Sequence, residues 1–313
     1  MDIFKYLKRS INFIFRLPTD CSVFYGKSRE FSRVLPAGLV RALKEWLRPN
    51  WYALTEPIRI RKNLTSFLGQ EFPVSHKKIE IDITYECNLH CHFCDRFLDI
   101  YPSQERMSVA QIDKFVEESM RLGRRWEEIH LLGGEPMLHP QVLQIIATLK
   151  KYKDAFSPST QISIFTNGCH NEKIKMFAPE IIVINSQKEI VDSVHVPITL
   201  APIDFKEYDQ AAFYNGCSVP VKCGMGLNMY GYYQCATAGA LDRILGLDLG
   251  KKQLPGTKDS LIEQYKTFCQ YCGHFIRHPR LIRRQLDKKQ AVSPSWKTIL
   301  KKYESCRGLL SRY

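Results

Sequence analysis

From Lys78 onward the chain alternates strand-like runs with helical stretches, and that alternation constrains the fold more tightly than any other feature of its 313 residues. Lys78-Ile-Glu-Ile-Asp-Ile-Thr84 has the period-two pattern of a strand. Ser108 has the chemistry of a helix N-cap, and the helix it opens should run to about Leu122 and stop at Gly123. Residues 128–132 read as a second strand, 140–152 as a helix, 161–167 as a third strand closed by Gly168, 171–178 as a short helix and 181–185 as a fourth strand. Residues 194–200 are a fifth candidate, weakened by Pro197. Such alternation implies parallel strands joined by right-handed crossovers, with function gathered at the C-terminal strand ends. The expected fold class is α/β, a partial (β/α) barrel of parallel strands over 76–215. A last strand is sought near 203–222, where the pattern is weak.

Three of the expected strand ends carry chemistry. The first runs into Cys87-Asn-Leu-His-Cys91-His-Phe-Cys94, a C-x3-C-x2-C loop. Three thiolates on one short loop can hold three irons of a cubic [4Fe–4S] cluster and leave the fourth iron open to a ligand. Zinc with nitrogen from His90 or His92 is the blander alternative, although no fourth cysteine completes a second C-x2-C pair nearby. The second strand ends in Gly133-Gly134-Glu135-Pro136. Two glycines let backbone come close to a ligand, and a carboxylate or carbonyl there can accept from an ammonium. On that reasoning a side chain at Gly134 would obstruct the ligand. The third strand ends in Thr166-Asn167-Gly168.

These residues resemble the radical S-adenosylmethionine (SAM) enzymes, down to an aromatic residue, Phe93, before the third cysteine. The resemblance implies that Cys87, Cys91 and Cys94 hold a [4Fe–4S] cluster whose open iron is chelated by SAM. It implies that Phe93, Gly133, Gly134, Glu135, Pro136, Thr166 and Asn167 form the SAM-binding rim. It implies one electron from a flavodoxin or ferredoxin, cleavage of SAM to methionine and a 5′-deoxyadenosyl radical, and removal of a substrate hydrogen atom.

After residue 215 cysteines become dense: Cys217, Cys223, Cys235 and the pair Cys269-Gln-Tyr-Cys272. A C-x2-C pair is a strong chelating element. The segment 224–235 reads as a hairpin, with Leu227 and Met229 on one strand, Tyr-Gly at the turn, and Tyr232 and Tyr233 on the return. It resembles the SPASM/Twitch extension of radical SAM enzymes, which implies a second, auxiliary [4Fe–4S] cluster. Five candidate cysteines suit one cluster, most economically Cys217, Cys235, Cys269 and Cys272. Cys223 would then replace Cys217 or remain free near the substrate as a proton donor or regulator. Zinc is the structural alternative. Cys21, Cys169 and Cys306 are isolated and read as small buried hydrophobes, with a reservation for Cys169, which follows Thr-Asn-Gly on the expected rim.

The expected domains are a helical N-terminal extension over 1–75, the barrel over 76–215, the cysteine-rich domain over 216–275 and a basic helical tail over 276–313. Ile3, Phe4, Leu7, Ile11 and Ile14 recur at helical spacing among Lys5, Lys8, Arg9 and Arg16, a pattern that suits peripheral contact with a membrane or packing on the barrel. Leu39, Val40, Leu43, Trp46 and Leu47 mark a second helix. No apolar run is long enough to span a membrane and no secretory signal is evident, so the expected location is cytoplasmic or peripheral to the inner membrane surface. The net charge of +13 suits an anionic partner or plain solubility, and Arg277, Arg280, Arg283, Arg284, Lys288 and Lys289 form its densest run. Aromatics do not interleave with that run, so nucleic acid is a minor expectation. The function this supports is redox modification or crosslinking of a peptide or a small polar metabolite. The reading from another class is a non-catalytic iron–sulfur or zinc scaffold on RNA or an anionic membrane.

Overall fold

A computed structural model describes residues 58–169, 171–177, 181–186, 197–276 and 292–313. The helices expected over 1–57, Cys21, the start of the fifth strand and the basic run 277–289 lie outside the described residues. The chain divides into two compact units, and the described part of the smaller is 58–71 with 205–216. In it α1 (Lys62–Leu68) follows a bridge between Arg61 and Ala211. Buried Arg59 pairs with Glu71 and donates to the Asn215 carbonyl at 2.8 Å, and the Asn215 amide donates to Thr65 Oγ1 at 3.1 Å.

The larger unit, Phe72–Asp204 with Cys217–Tyr313, holds one six-stranded sheet in the order β4-β3-β2-β1-β5-β6. Its strands are β1 (Lys78–Thr84), β2 (Glu128–Gly133), β3 (Gln161–Thr166), β4 (Ile182–Asn185), β5 (Met225–Asn228) and β6 (Gly231–Tyr233). β1 to β4 run parallel, joined by α2 (Val109–Arg121), α3 (Val142–Phe156) and α4 (Asn171–Phe177). Ser108 caps α2 with a full capping box: its hydroxyl accepts from Gln111 N, and the Gln111 side chain accepts from Ser108 N.

Alternation divides the sheet into two faces. Ile79, Ile81, Ile129, Leu131, Ile162 and Ile164 are buried on one, where right-handed crossovers put α2 and α3. The other face is polar at mid-sheet, where register sets Glu80 beside His130 and His130 beside Ser163.

Three expectations need correction. Residues 197–200 form no strand: Pro197 has no N–H for a ladder, its carbonyl accepts from Leu200 N in a turn, and the Ile198 carbonyl accepts from Gly273 N. The hairpin expected in a separate cysteine-rich domain extends the main sheet, because β5 pairs parallel with β1. The last strand sought near 203–222 is not formed there; the strand that follows is β5, which lies at 225–228 and joins the sheet beside β1. Its turn is Met229-Tyr230, fixed by the Asn228 side chain accepting from Tyr230 N at 2.8 Å.

Beyond the hairpin, α5 (Ala236–Leu245), α6 (Ile262–Phe268) and α7 (Pro294–Ser305) complete a second core around Tyr233, Leu241, Phe268 and Trp296. Phe97, from the segment after the first cysteine loop, joins it with its ring 5.0 Å from that of Trp296. Among the described residues no helix is long and apolar enough to cross a membrane.

Candidate functional site

The three sequence motifs meet at the C-terminal edge of β1, β2 and β3. Gly134 N donates to the Thr84 carbonyl at 2.7 Å and Glu135 N to the Glu86 carbonyl at 2.8 Å, so the glycine turn is laid directly on the segment leading into Cys87. Gly133 has φ +131°, and a Cβ there would stand 2.0 Å from the Thr84 carbonyl oxygen. A Cβ on Gly134 would meet the Glu86 carbonyl oxygen at 2.3 Å and the Cys87 Cβ at 3.0 Å. Gly133 excludes a side chain because the end of β1 occupies the space and Gly134 because the segment into Cys87 does, which is a different reason from the ligand approach expected above.

Glu135 is buried, with its carboxylate turned into the rim. It accepts from Thr166 Oγ1 at 2.7 Å, Asn167 N at 2.7 Å and Met137 N at 3.0 Å. Asn167 in turn donates from Nδ2 to Asn88 Oδ1 at 2.9 Å, which ties the third strand end back to the cysteine loop. Pro136 begins a single helical turn after Glu135.

Cys87, Cys91 and Cys94 are all partly exposed on their loop. Phe93 adopts φ +57°, a left-handed conformation that is costly for a bulky residue and concentrates at functional sites. Asp99 holds it there by accepting from Phe93 N at 3.1 Å. Burial pushes the Cys87 thiol up, with nearby Glu135 and Cys91 adding to the effect, and burial pushes Cys94 up to about 11. Such thiols ionise when a cation is bound, which is the chemistry of a metal-ligand set.

The loop is latched to the sheet by a residue the sequence reading missed. Arg96 is buried, and its guanidinium donates to the Asp82 carboxylate at 2.9, 3.1 and 3.2 Å, with Glu80 3.5 Å away. Burial raises both carboxyls, and Arg96 opposes that rise. Two acids alternating with isoleucines in β1 look like a solvent face, and only their enclosure with Arg96 marks them otherwise.

A second group of cysteines lines one small cavity. Cys217, Cys235, Cys269 and Cys272 surround it with Gln234 and His274, against apolar walls that include Phe268 and Leu241. Cys235, Cys269 and Cys272 are buried, and burial reinforced by the neighbouring thiols pushes all three up. Among the described residues no three His, Cys, Asp or Glu side chains converge tightly enough to hold a single ion, so the four thiols stand around the cavity rather than on one point. Two features fit a bulkier cationic group with sulfur ligands: a donor set of four thiols in an apolar enclosure, and the Gln234 amide, whose Oε1 and Nε2 have no oxygen or nitrogen partner. Cys223 does not line the cavity and instead hydrogen-bonds Glu80 on the sheet. Cys169 lies on the first rim, near Glu135 and Cys87, and burial pushes it up to about 11; Cys306 is exposed, against expectation.

Residues 81–205 match the model of the Radical SAM superfamily. Over 151 residues the chain is 26% identical to molybdenum cofactor biosynthesis protein 1 of Bos taurus, covering 45% of this chain and 21% of that protein. It is 31% identical over 90 residues to a probable GTP 3′,8-cyclase of Thermococcus kodakarensis, covering 29% of this chain and 27% of that protein. A probable GTP 3′,8-cyclase of Methanococcus vannielii is 34% identical over 108 residues, 34% of this chain and 33% of that protein. The matches thus span about a fifth to a third of these relatives' length. Among solved structures, BtrN in complex with AdoMet and 2-DOIA aligns at TM-score 0.39 and 14% identity, over 68% of this chain and 90% of that one.

Proposed function

We propose that this chain, which carries a radical SAM domain over residues 81–205, is an enzyme that removes a hydrogen atom from a small polar metabolite with the help of an auxiliary iron–sulfur cluster. The observation that carries the reading is the joining of three distant motifs on one rim: the Cys87 loop, the Gly133-Gly134 turn and the Glu135–Thr166–Asn167 network. Cys87, Cys91 and Cys94 would hold a [4Fe–4S] cluster, which with bound SAM and an electron from a flavodoxin or ferredoxin would supply the radical that abstracts the hydrogen atom.

The chain's own residues do the rest. Gly133 and Gly134 let the second strand end close against the cysteine loop. Glu135 spends its carboxylate on Thr166 and Asn167, so backbone carbonyls of this turn are the acceptors offered to the SAM ammonium. Phe93 keeps the loop in its left-handed turn between Cys91 and Cys94. Cys217, Cys235, Cys269 and Cys272 would hold the auxiliary cluster, which would accept the electron released when the substrate radical is oxidised, or bind the substrate itself.

Two observations favour a small polar substrate over a peptide. The face of the sheet that carries Glu80 and Asp82, both held by Arg96, also carries His130 and Ser163, a polar environment that suits a small polar ligand. Similar proteins bear names of nucleotide cyclases. The test is anaerobic reconstitution: about eight irons per chain, the content of two cubanes, and 5′-deoxyadenosine formed from SAM under dithionite. Stimulation of that product by a low-mass polar metabolite fraction is expected. Stimulation by a peptide fraction alone would move the reading to peptides, and zinc with no SAM turnover would replace the enzyme by a scaffold.

A further inference from the structure

Gln234 lies between β6 and Cys235 and is 0% exposed, and neither its Oε1 nor its Nε2 has an oxygen or nitrogen partner. Leaving a buried polar group unsatisfied costs about 1–3 kcal/mol, so an amide held this way calls for a ligand. Its backbone is pinned. Gln264 accepts from Gln234 N at 3.0 Å and donates from Nε2 to the carbonyls of Tyr232 at 3.0 Å and Leu249 at 2.8 Å. The Gln234 side chain lines the cavity of the four cysteines, whose remaining wall is largely apolar. Its amide stands beside the Cys269 sulfur, where it favours the thiolate.

We propose that Gln234 sets the reduction potential of the auxiliary cluster by donating its Nε2–H to the Cys269 sulfur or to a sulfide of the cluster. The inference rests on the auxiliary cluster proposed above. Reduction adds one electron to the cluster, and no bond or proton at Gln234 changes. The added negative charge is shared by the sulfurs, so a fixed N–H dipole stabilises the reduced form more than the oxidised one and raises the potential. The apolar wall strengthens that dipole's effect, since little else screens it. The group is a positioning residue in this role: it touches the cluster and no substrate.

The potential is measured by redox titration followed by electron paramagnetic resonance, in the full chain carrying Cys87→Ala, Cys91→Ala and Cys94→Ala so that the auxiliary cluster reports alone. That background should retain about four irons per chain. If it retains none, the auxiliary cluster itself is overturned, and this inference with it. Added to the background, Gln234→Met keeps the length of the side chain and removes the donor. It should weaken reduction about tenfold, a fall of about 59 mV for a one-electron couple, at unchanged iron. An unchanged potential at full iron overturns the inference and leaves the cluster in place. Should Gln234→Met lose its iron, the residue is read directly with its own side chain present. Background protein labelled with nitrogen-15 at the glutamine side-chain amide should show a nitrogen coupling to the reduced cluster by pulsed resonance, and absence of that coupling overturns the assignment.

Discussion

Gly134 does its work through what lies beneath it, the Glu86 carbonyl and the Cys87 Cβ, both closer than a side chain allows. Gly134→Val should therefore dislodge the cysteine loop as well as weaken SAM binding. The expected result is loss of about four irons per chain, one cubane, with stability lower by about 1–3 kcal/mol from overpacking. Iron analysis beside a SAM titration checks it. Full iron with weak SAM binding would mean the glycine serves the ligand and not the loop. The cysteines make the sharper prediction at this scale. Cys87→Ala, Cys91→Ala and Cys94→Ala should each abolish 5′-deoxyadenosine formation, because a cubane held by two thiolates is lost or misassembled. Cleavage at the wild-type rate in any one of them contradicts the assignment.

At the level of elements, the joint that matters is the Arg96 latch between the cysteine loop and β1. Removing one partner of a buried ion pair typically costs about 3–5 kcal/mol, since it strands the opposite charge. Arg96→Met should cost that much and disturb cluster loading. Its pH dependence has a definite sign. Without the guanidinium, burial holds the Glu80 and Asp82 carboxyls above their unfolded values. A carboxyl raised in the folded state contributes its stability below the unfolded pKa and loses it as pH rises through the folded pKa. The deficit of Arg96→Met relative to wild type should accordingly be larger at pH 8 than at pH 6 in thermal melts. A deficit independent of pH would show that the carboxylates find another cation.

On the scale of the whole molecule, the question is whether the two cysteine sites are separable. They sit on different segments, one on the loop after β1 and one around the start of α5 and the end of α6. Cys269→Ala with Cys272→Ala should lower iron by about four per chain, keep uncoupled SAM cleavage and stop substrate conversion. A melt has to accompany the assay, because a metal site contributes folding energy and these thiols lie against the core of Phe268 and Trp296. A folded double variant with full iron and normal conversion would reduce those cysteines to a structural role.

What the sequence determined by itself is what depends on local pattern: β1 to β4, the N-cap at Ser108, the cysteine loop and the glycine turn all follow from short-range periodicity and turn chemistry. Tertiary structure alone decided what depends on who stands opposite. β5 is four residues long and had no visible helix before it, so only its pairing with β1 shows that the sheet continues through the hairpin. Glu80 and Asp82 have the alternation of an exposed strand face, and it takes Arg96, 14 residues beyond Asp82, to reveal a buried ion pair. Among five cysteines spread from 217 to 272, spacing makes Cys217, Cys235, Cys269 and Cys272 only the most economical set; the cavity they line shows that they come together, with Cys223 set against Glu80 instead. The physical reason is common to all three: periodicity reports which side of an element is apolar, while partners across the fold are set by packing that no local pattern encodes.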